Sequence, residues 1–273
     1  MTPTTTLITG AGSGIGRSLA IQAAQRGLSV IATDINETSL AETNQLAGGT
    51  LDTHRLDVSN PDDIAAFAQH IIPTLDNRPL ILINNAGVAL AAGTFWETTE
   101  TEFDWLLRIN LFGVIRMTRA FLPYMIQHNN GHLVNISSVF GFAGVLNQSA
   151  YCTAKFGVRG FTETLRMELL DTGVGVTCVH PGGIDTNIAR DSRIGAGGLV
   201  TDAMHKKAAE SFKKAAITTP DEAARQIWRA VDKRQTRLVI GSDGKLLDRL
   251  TRLFPSGYTK MLKKRLEQAF ATE

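Results

Sequence analysis

Cysteine is scarce in this chain: Cys152 and Cys178 are its two thiols in 273 residues, with no paired spacing. That argues against a disulfide framework or a thiolate zinc site and fits a reducing compartment. No apolar run approaches the about eighteen residues of a membrane span. The opening stretch MTPTTTLITGAG lacks the basic region and apolar core of a secretory signal. A dominant charge is missing too, since the net charge is +2 from 28 Lys/Arg and 26 Asp/Glu, too even to argue for nucleic acid. The six histidines show no ligand spacing, so no metal site is expected. There are no repeats of fixed period, low-complexity tracts or interdomain linkers. The expectation is a soluble, cytoplasmic protein whose 43% hydrophobic content supplies a sizeable core.

What is present is alternation. TTLIT at 5–9 precedes a helical pattern at 14–26, SVIATD at 29–34 one at 37–47, and DTHRLDV at 52–58 one at 61–75. LILINN at 80–85 precedes 100–128, HLVNIS at 132–137 precedes 150–171, and VGVTCVHP at 174–181 leads through a Gly-rich loop to 221–231 and TRLVIGS at 236–242. Unbroken apolar strands separated by helices indicate a parallel sheet covered on both faces. The reading is an α/β, single-domain, Rossmann-like doubly wound sheet of about seven strands over residues 1–241, with a helical extension at 242–273.

The first strand runs directly into TGAGSGIG, with Gly10, Gly12, Gly14 and Gly16 at the strand-to-helix turn. Glycine there lets backbone approach a pyrophosphate, whose charge the N–H groups of the next helix can hold. The second strand ends on Asp34, 18 residues beyond Gly16, where a carboxylate can accept bonds from ribose hydroxyls and repel a 2′-phosphate. Asp34 could instead cap the helix that follows. Ser13 adds no positive charge to the turn, so NAD is expected over NADP. One further spacing stands out: Tyr151 and Lys155 in YCTAK are one helical turn apart, on the same face. A plain surface pair has the same pattern.

Taken together, these residues resemble the short-chain dehydrogenase/reductase family. The resemblance is carried in order by TGAGSGIG at 9–16, LDV at 56–58, NNAG at 84–87, Asn110 in RINLFG, NISS at 135–138, YCTAK at 151–155 and PGGIDT at 181–186. It implies that Ser138, Tyr151, Lys155 and Asn110 form the catalytic set. It also implies a cofactor site from Gly10, Gly12, Ser13, Gly14, Ile15, Gly16 and Asp34, with Asp57 and Val58 at the adenine. Asn84, Ala86 and Gly87 would support the ribose, Pro181, Gly182, Ile184 and Thr186 would lie along the nicotinamide, and Tyr151 and Lys155 would touch the cofactor as well. An ordinary tyrosine, with a pKa of about 10, is a poor base at neutral pH. An ammonium about 4 Å away at an effective dielectric near 20 offers roughly 4 kcal/mol, or nearly three pKa units before desolvation. Lys155 is therefore expected to favour the Tyr151 phenolate, Ser138 to hold the substrate oxygen, and Asn110 to link Lys155 to solvent through water.

The loops expected beyond the strands are apolar. Leu90, Phe95, Trp96, Phe140, Phe142, Val145, Leu146 and Leu199 are candidate lining for a bulky, weakly polar alcohol or ketone, with Phe140, Val145, Leu146 and Leu199 the leading pocket residues. Gly195, Gly197 and Gly198 suit either a lid or a plain surface loop. Cys152 and His180 read as packing residues. Residues 233–265 hold ten Lys/Arg and two Asp/Glu, with an apolar stripe of Leu246, Leu247, Leu250, Leu253 and Phe254. This extension could pack on the body or a partner, gate the pocket or touch an anionic membrane. The resemblance implies a homodimer through the helices at 100–128 and 150–171, with a tetramer as the alternative. The leading function is an NAD-dependent oxidoreductase acting on a hydrophobic secondary alcohol or ketone. The alternatives are an NADPH-dependent ketoreductase, a catalytically silent dinucleotide sensor and a peripheral membrane protein.

Overall fold

The computed structural model describes residues 4–197 and 199–263. Its first half runs β1 (Thr5–Thr9), α1 (Gly14–Gln25), β2 (Ser29–Asp34), α2 (Glu37–Leu46), β3 (Asp52–Arg55), α3 (Pro61–Ile71), β4 (Leu80–Asn84), β5 (Leu90–Ala91), α4 (Glu100–Leu107) and α5 (Val114–Gln127). The second half runs β6 (Gly131–Ile136), α6 (Ser149–Glu168), β7 (Val174–Pro181), β8 (Arg193–Ile194), α7 (Asp202–Ala215), α8 (Pro220–Asp232), β9 (Arg237–Ile240) and α9 (Ser242–Leu253). Seven parallel strands form the main sheet in the order β3-β2-β1-β4-β6-β7-β9. The expected doubly wound fold is thus present, and its strand order reverses between β1 and β4, where such sheets open a crevice.

Alternate residues of the central strands feed two separate cores. Leu7, Leu82 and Leu133 face α3, α5 and α6, among Ile64, Phe121 and Leu165. Ile8, Ile83 and Val134 face α1 and α8, among Leu19, Ala23, Ile227 and Trp228. Each fully buried leucine, isoleucine or phenylalanine contributes roughly 1.5–3 kcal/mol, so both faces resist slippage. Arg26 of α1 lies over the Trp228 ring at 5.0 Å, joining α1 to α8.

Three features were not foreseen. β5 and β8 form a separate two-stranded parallel ribbon. The 100–128 helix is interrupted by a π-helical turn at Arg108–Gly113. α7 stands inside the segment read as a loop; Met204, Ala208 and Phe212 recur at helical spacing, its Thr201 cap and Ala/Lys/Glu-rich composition support it, and none of its residues is buried. The apolar stripe of the extension divides: Leu247 joins the cluster of Val139, Phe142 and Tyr258, while Leu246, Leu253 and Phe254 face solvent. Residues 258–263 are helical, and the rest of the expected extension lies outside the described residues.

Candidate active site

The carboxyl ends of β1 and β4 are stitched together at the crevice. The Thr9 hydroxyl accepts the Asn85 and Ala86 N–H groups at 3.0 and 3.1 Å, and Asn85 Nδ2 donates to the carbonyls of Thr9 and Gly10. Gly16 closes this junction, because a Cβ there would stand 2.0 Å from the Gly10 carbonyl oxygen. Gly14 has φ +52°, and its missing side chain leaves room beside Thr186. Ser13, at the start of α1, makes no side-chain cap bond. The α1 N-terminus thus presents donors uncapped by Ser13 on a surface cleared of side chains, and a pyrophosphate fits both.

Asp34 reaches into this turn. Its Oδ2 accepts the Gly12 N–H at 2.8 Å and its Oδ1 accepts the Asn36 N–H at 2.9 Å. The helix-capping alternative goes to Asn36, whose side chain accepts the Ser39 N–H. The basic residue beside the turn is Arg17, which sequence reading passed over. Its guanidinium is committed to the Gly12 and Ser39 carbonyls, the Thr43 hydroxyl and Glu42. Asp57 shapes the turn before α3 by accepting both the N–H and the hydroxyl of Ser59, and Val58 is buried against Gly113.

Asn84 and Asn85 divide their work. Asn84 is buried under the sheet and donates to the Thr118 hydroxyl and to Asn135 Oδ1, while Asn135 donates to the Thr162 hydroxyl. Asn85, within the NNAG stretch expected at the ribose, holds the glycine turn. Asn110 sits in the π-helical turn with both ends of its amide on the Val88 backbone, Oδ1 accepting N–H and Nδ2 donating to C=O, each at 2.8 Å. π-Turns inside helices often mark functional positions. The side-chain amide thus has a positional task, holding the Val88 backbone.

Ser138 lies two residues beyond β6, capping the turn Val139–Gly141, and its Oγ accepts the Phe140 N–H at 3.1 Å. It also lies close enough to the Tyr151 phenol to favour its ionisation. Tyr151 and Lys155 occupy the first turns of α6, fixed to β6 by the Ser137 hydroxyl, which donates to the Lys155 carbonyl at 2.8 Å. The four expected catalytic residues therefore converge. The Lys155 Nζ donates to the Ile136 carbonyl at 3.0 Å and stands 5.6 Å from the Tyr151 ring centre. A Cβ on Gly87 would lie 3.6 Å from that Nζ and 3.3 Å from Asn110 Oδ1, so Gly87 keeps this corner open. Burial pushes Tyr151 up to about 12, opposed by the nearby Ser138 hydroxyl, and pushes Lys155 down to about 8. The phenol is expected to be lowered by Lys155 together with an oxidised nicotinamide; in the chain by itself desolvation is the largest influence on it. At neutral pH the phenol is protonated and the lysine charged.

His180 lies behind Ser138. Its Nδ1 is 3.1 Å from the Ser138 carbonyl, which requires a proton on that nitrogen, and its Nε2 is buried with no partner among the described residues. Burial lowers His180 and His132 to about 4 from an ordinary 6.5. Both are neutral when folded and take up a proton on unfolding, so their contribution is present above pH 6.5 and lost as the pH falls toward 4. We expect urea stability to drop by a few kcal/mol between neutral pH and about pH 5, with His180→Asn flattening that slope. An unchanged slope in the variant would contradict the assignment.

On the substrate side, Phe140 meets the Tyr151 ring edge-on at 6.0 Å. Val145 is half-buried, Leu146 and Leu199 are exposed, and Phe95 and Trp96 stand in solvent. Leu90 and Phe142 are buried in apolar clusters, and Leu90 also borders the space next to Tyr151. The space next to Tyr151 is about 10 Å³, bounded by Leu90, Ala92, Thr98, Asn147 and Ser149 among others. A larger cavity of about 420 Å³ lies away from it, between the starts of α8 and α9. Gly195 and Gly197 are tied down by the β5–β8 ribbon and by buried Glu102, which accepts the Ala196 N–H; Gly198 lies outside the described residues. Tyr258 packs with Phe140 and Phe142, its hydroxyl accepting the Gly144 N–H at 2.8 Å.

Comparison with known proteins adds to this geometry. Residues 4–197 match the family described as short chain dehydrogenase. The Mycobacterium tuberculosis protein SadH is 38% identical over 262 residues, covering 94% of this chain and 92% of its own. A short-chain dehydrogenase/reductase from Burkholderia phymatum, solved with NAD, superposes with a TM-score of 0.77 at 27% identity, over 87% of this chain and 88% of that one. A short-chain dehydrogenase from Sphingobium yanoikuyae, solved with NADPH, gives 0.71 at 25% identity, over 98% and 95%.

Proposed function

The chain belongs to the short-chain dehydrogenase family and is an oxidoreductase, and from that premise we propose that it moves a hydride between NAD and a hydrophobic secondary alcohol or ketone. The observation that carries the reading is the convergence of Ser138, Tyr151 and Lys155 beneath a glycine turn cleared for a dinucleotide. The nicotinamide, when bound, supplies or takes the hydride. In the reductive direction the Ser138 hydroxyl holds the carbonyl oxygen, and the Tyr151 phenol gives that oxygen its proton. The phenolate left behind is stabilised by the Lys155 ammonium and the Ser138 hydroxyl. Asn110 positions the Val88 backbone rather than transferring a proton. A raised phenol pKa suits a donor at neutral pH, and the reverse reaction asks for higher pH.

Asp34 supports NAD as the partner, because its carboxylate stands where a 2′-phosphate would meet a second negative charge. Phe140, Val145 and Leu146 support an apolar substrate. Nicotinamide absorbance in a panel of secondary alcohols with NAD, and of ketones with NADH and NADPH, tests the reading. Turnover with NADPH alone would favour the ketoreductase alternative, and dinucleotide binding without turnover the sensor.

Tyr258, packed with Phe140, tests the substrate side. Tyr258→Phe leaves the Gly144 N–H without its acceptor, worth about 1 kcal/mol. A roughly fivefold rise in KM for the ketone, with kcat and NADH affinity held, is the expected result. A change confined to kcat would contradict a role for Tyr258 on that side.

A further inference from the structure

α9 carries apolar residues on two sides. Leu247 and buried Gly244 turn inward, against Val139, Val239 and Tyr258. On the other side Leu246, Arg249 and Leu253 follow one another at helical spacing, with Leu246 53% and Leu253 73% exposed. Phe254, 49% exposed, follows at the end of α9, and Met261, 48% exposed, adds an apolar side chain on the next helical turns. Cations interleave with these side chains at Lys245, Arg249, Arg252 and Lys260, and the sequence has no acid from 249 to 266.

The two acids of α9 are spent on the body. Asp243 accepts the Gly183 N–H at 2.8 Å. Asp248 forms a two-pronged pair with Arg237, at 2.8 and 2.9 Å, and takes Arg252 at 2.9 Å. The neighbouring end of α7 continues the pattern, since Ala216 lies against Gly183, and exposed Ile217 shares a cavity wall with Lys245. Lys213 and Lys214 occupy the last turn of that helix.

Three occupants could cover such a face. A second copy, related by a twofold axis, would set this cluster of cations against itself. Nucleic acid would satisfy the cations and leave Leu253 and Phe254 against phosphates. Anionic lipid matches both halves of the pattern, with headgroups for Lys245 and Arg249 and acyl chains for Leu246, Leu253 and Phe254. We infer that the outer face of α9, with Phe254, docks on an anionic membrane surface. The inference is independent of the reaction assigned above, so Tyr151→Phe should bind vesicles like the parent chain.

The test is co-sedimentation of the full chain with vesicles of phosphatidylcholine, alone or mixed with phosphatidylglycerol. Binding on the order of tenfold stronger to the mixed vesicles is expected, falling as salt rises. The double variant Lys245→Glu/Arg249→Glu should lose that preference, and Leu253→Ser/Phe254→Ser should weaken binding even at low salt, both with unchanged thermal midpoints. Equal or absent binding to the two vesicle types, or variants that bind like the parent, would overturn the inference. So would sedimentation showing a dimer that Leu253→Ser/Phe254→Ser dissociates, or duplex DNA binding with no vesicle binding.

Discussion

Tyr151→Phe is expected to lower kcat/KM by roughly a thousandfold or more while leaving the NADH dissociation constant within about twofold. The substitution removes one oxygen and keeps the ring, so the edge-on contact with Phe140 and the seat on α6 survive. What disappears is the group that Ser138 neighbours and that Lys155 faces. A proton must then come from water, against a developing negative charge in a closed site. The glycine turn and Asp34 are untouched, which is why cofactor binding should hold. Steady-state rates and a fluorescence titration with NADH measure the two quantities separately. Near-parental turnover in the phenylalanine variant would remove Tyr151 from the chemistry.

Asp34→Ser should compress the ratio of kcat/KM for NAD over that for NADP by about a hundredfold. The magnitude follows from two unit charges about 6 Å apart at an effective dielectric near 20, roughly 3 kcal/mol. Two effects add in opposite senses. The carboxylate no longer repels a 2′-phosphate, which favours NADP. The Gly12 N–H also loses its 2.8 Å acceptor, which loosens the turn and costs affinity for both cofactors. Because the second effect is common to both, the ratio isolates the first. Arg17 will not supply a ready replacement for phosphate binding, since its guanidinium is held by the Gly12 and Ser39 carbonyls and by Glu42. Equal ratios in parent and variant would show that Asp34 does not set the preference.

The sheet was legible because parallel strands buried on both faces must be written as continuous apolar runs, and β7 falls on the residues read as VGVTCVHP. The convergence of Ser138, Tyr151, Lys155 and Asn110 was legible through ordered motifs. What stayed hidden depends on three-dimensional competition. That Lys155 also donates to the Ile136 carbonyl depends on burial and reach, not on spacing. Asn84 and Asn85 are adjacent in sequence, yet the alternation of a strand sends one inward and the other to the turn. α7 carries Met204, Ala208 and Phe212 at helical spacing, but that short stripe follows a glycine-rich stretch and buries no residue, so it reads as part of the loop. Tyr258 shows no signal at all until the chain folds back on Gly144.

The amide of Asn84 has a consequence for how the two halves of the crevice stay level. Asn84 and Asn135 are paired across β4 and β6 in a neighbourhood of interchangeable aliphatic side chains. Sliding either strand by one position would turn an amide to the opposite layer and strand its partner, along with Thr118 and Thr162, in an apolar interior. The pair acts as an alignment key: hydrocarbon alone would tolerate misthreading, whereas two asparagines admit a single phase between the strand that delivers Gly87 and the strand that delivers Ser138.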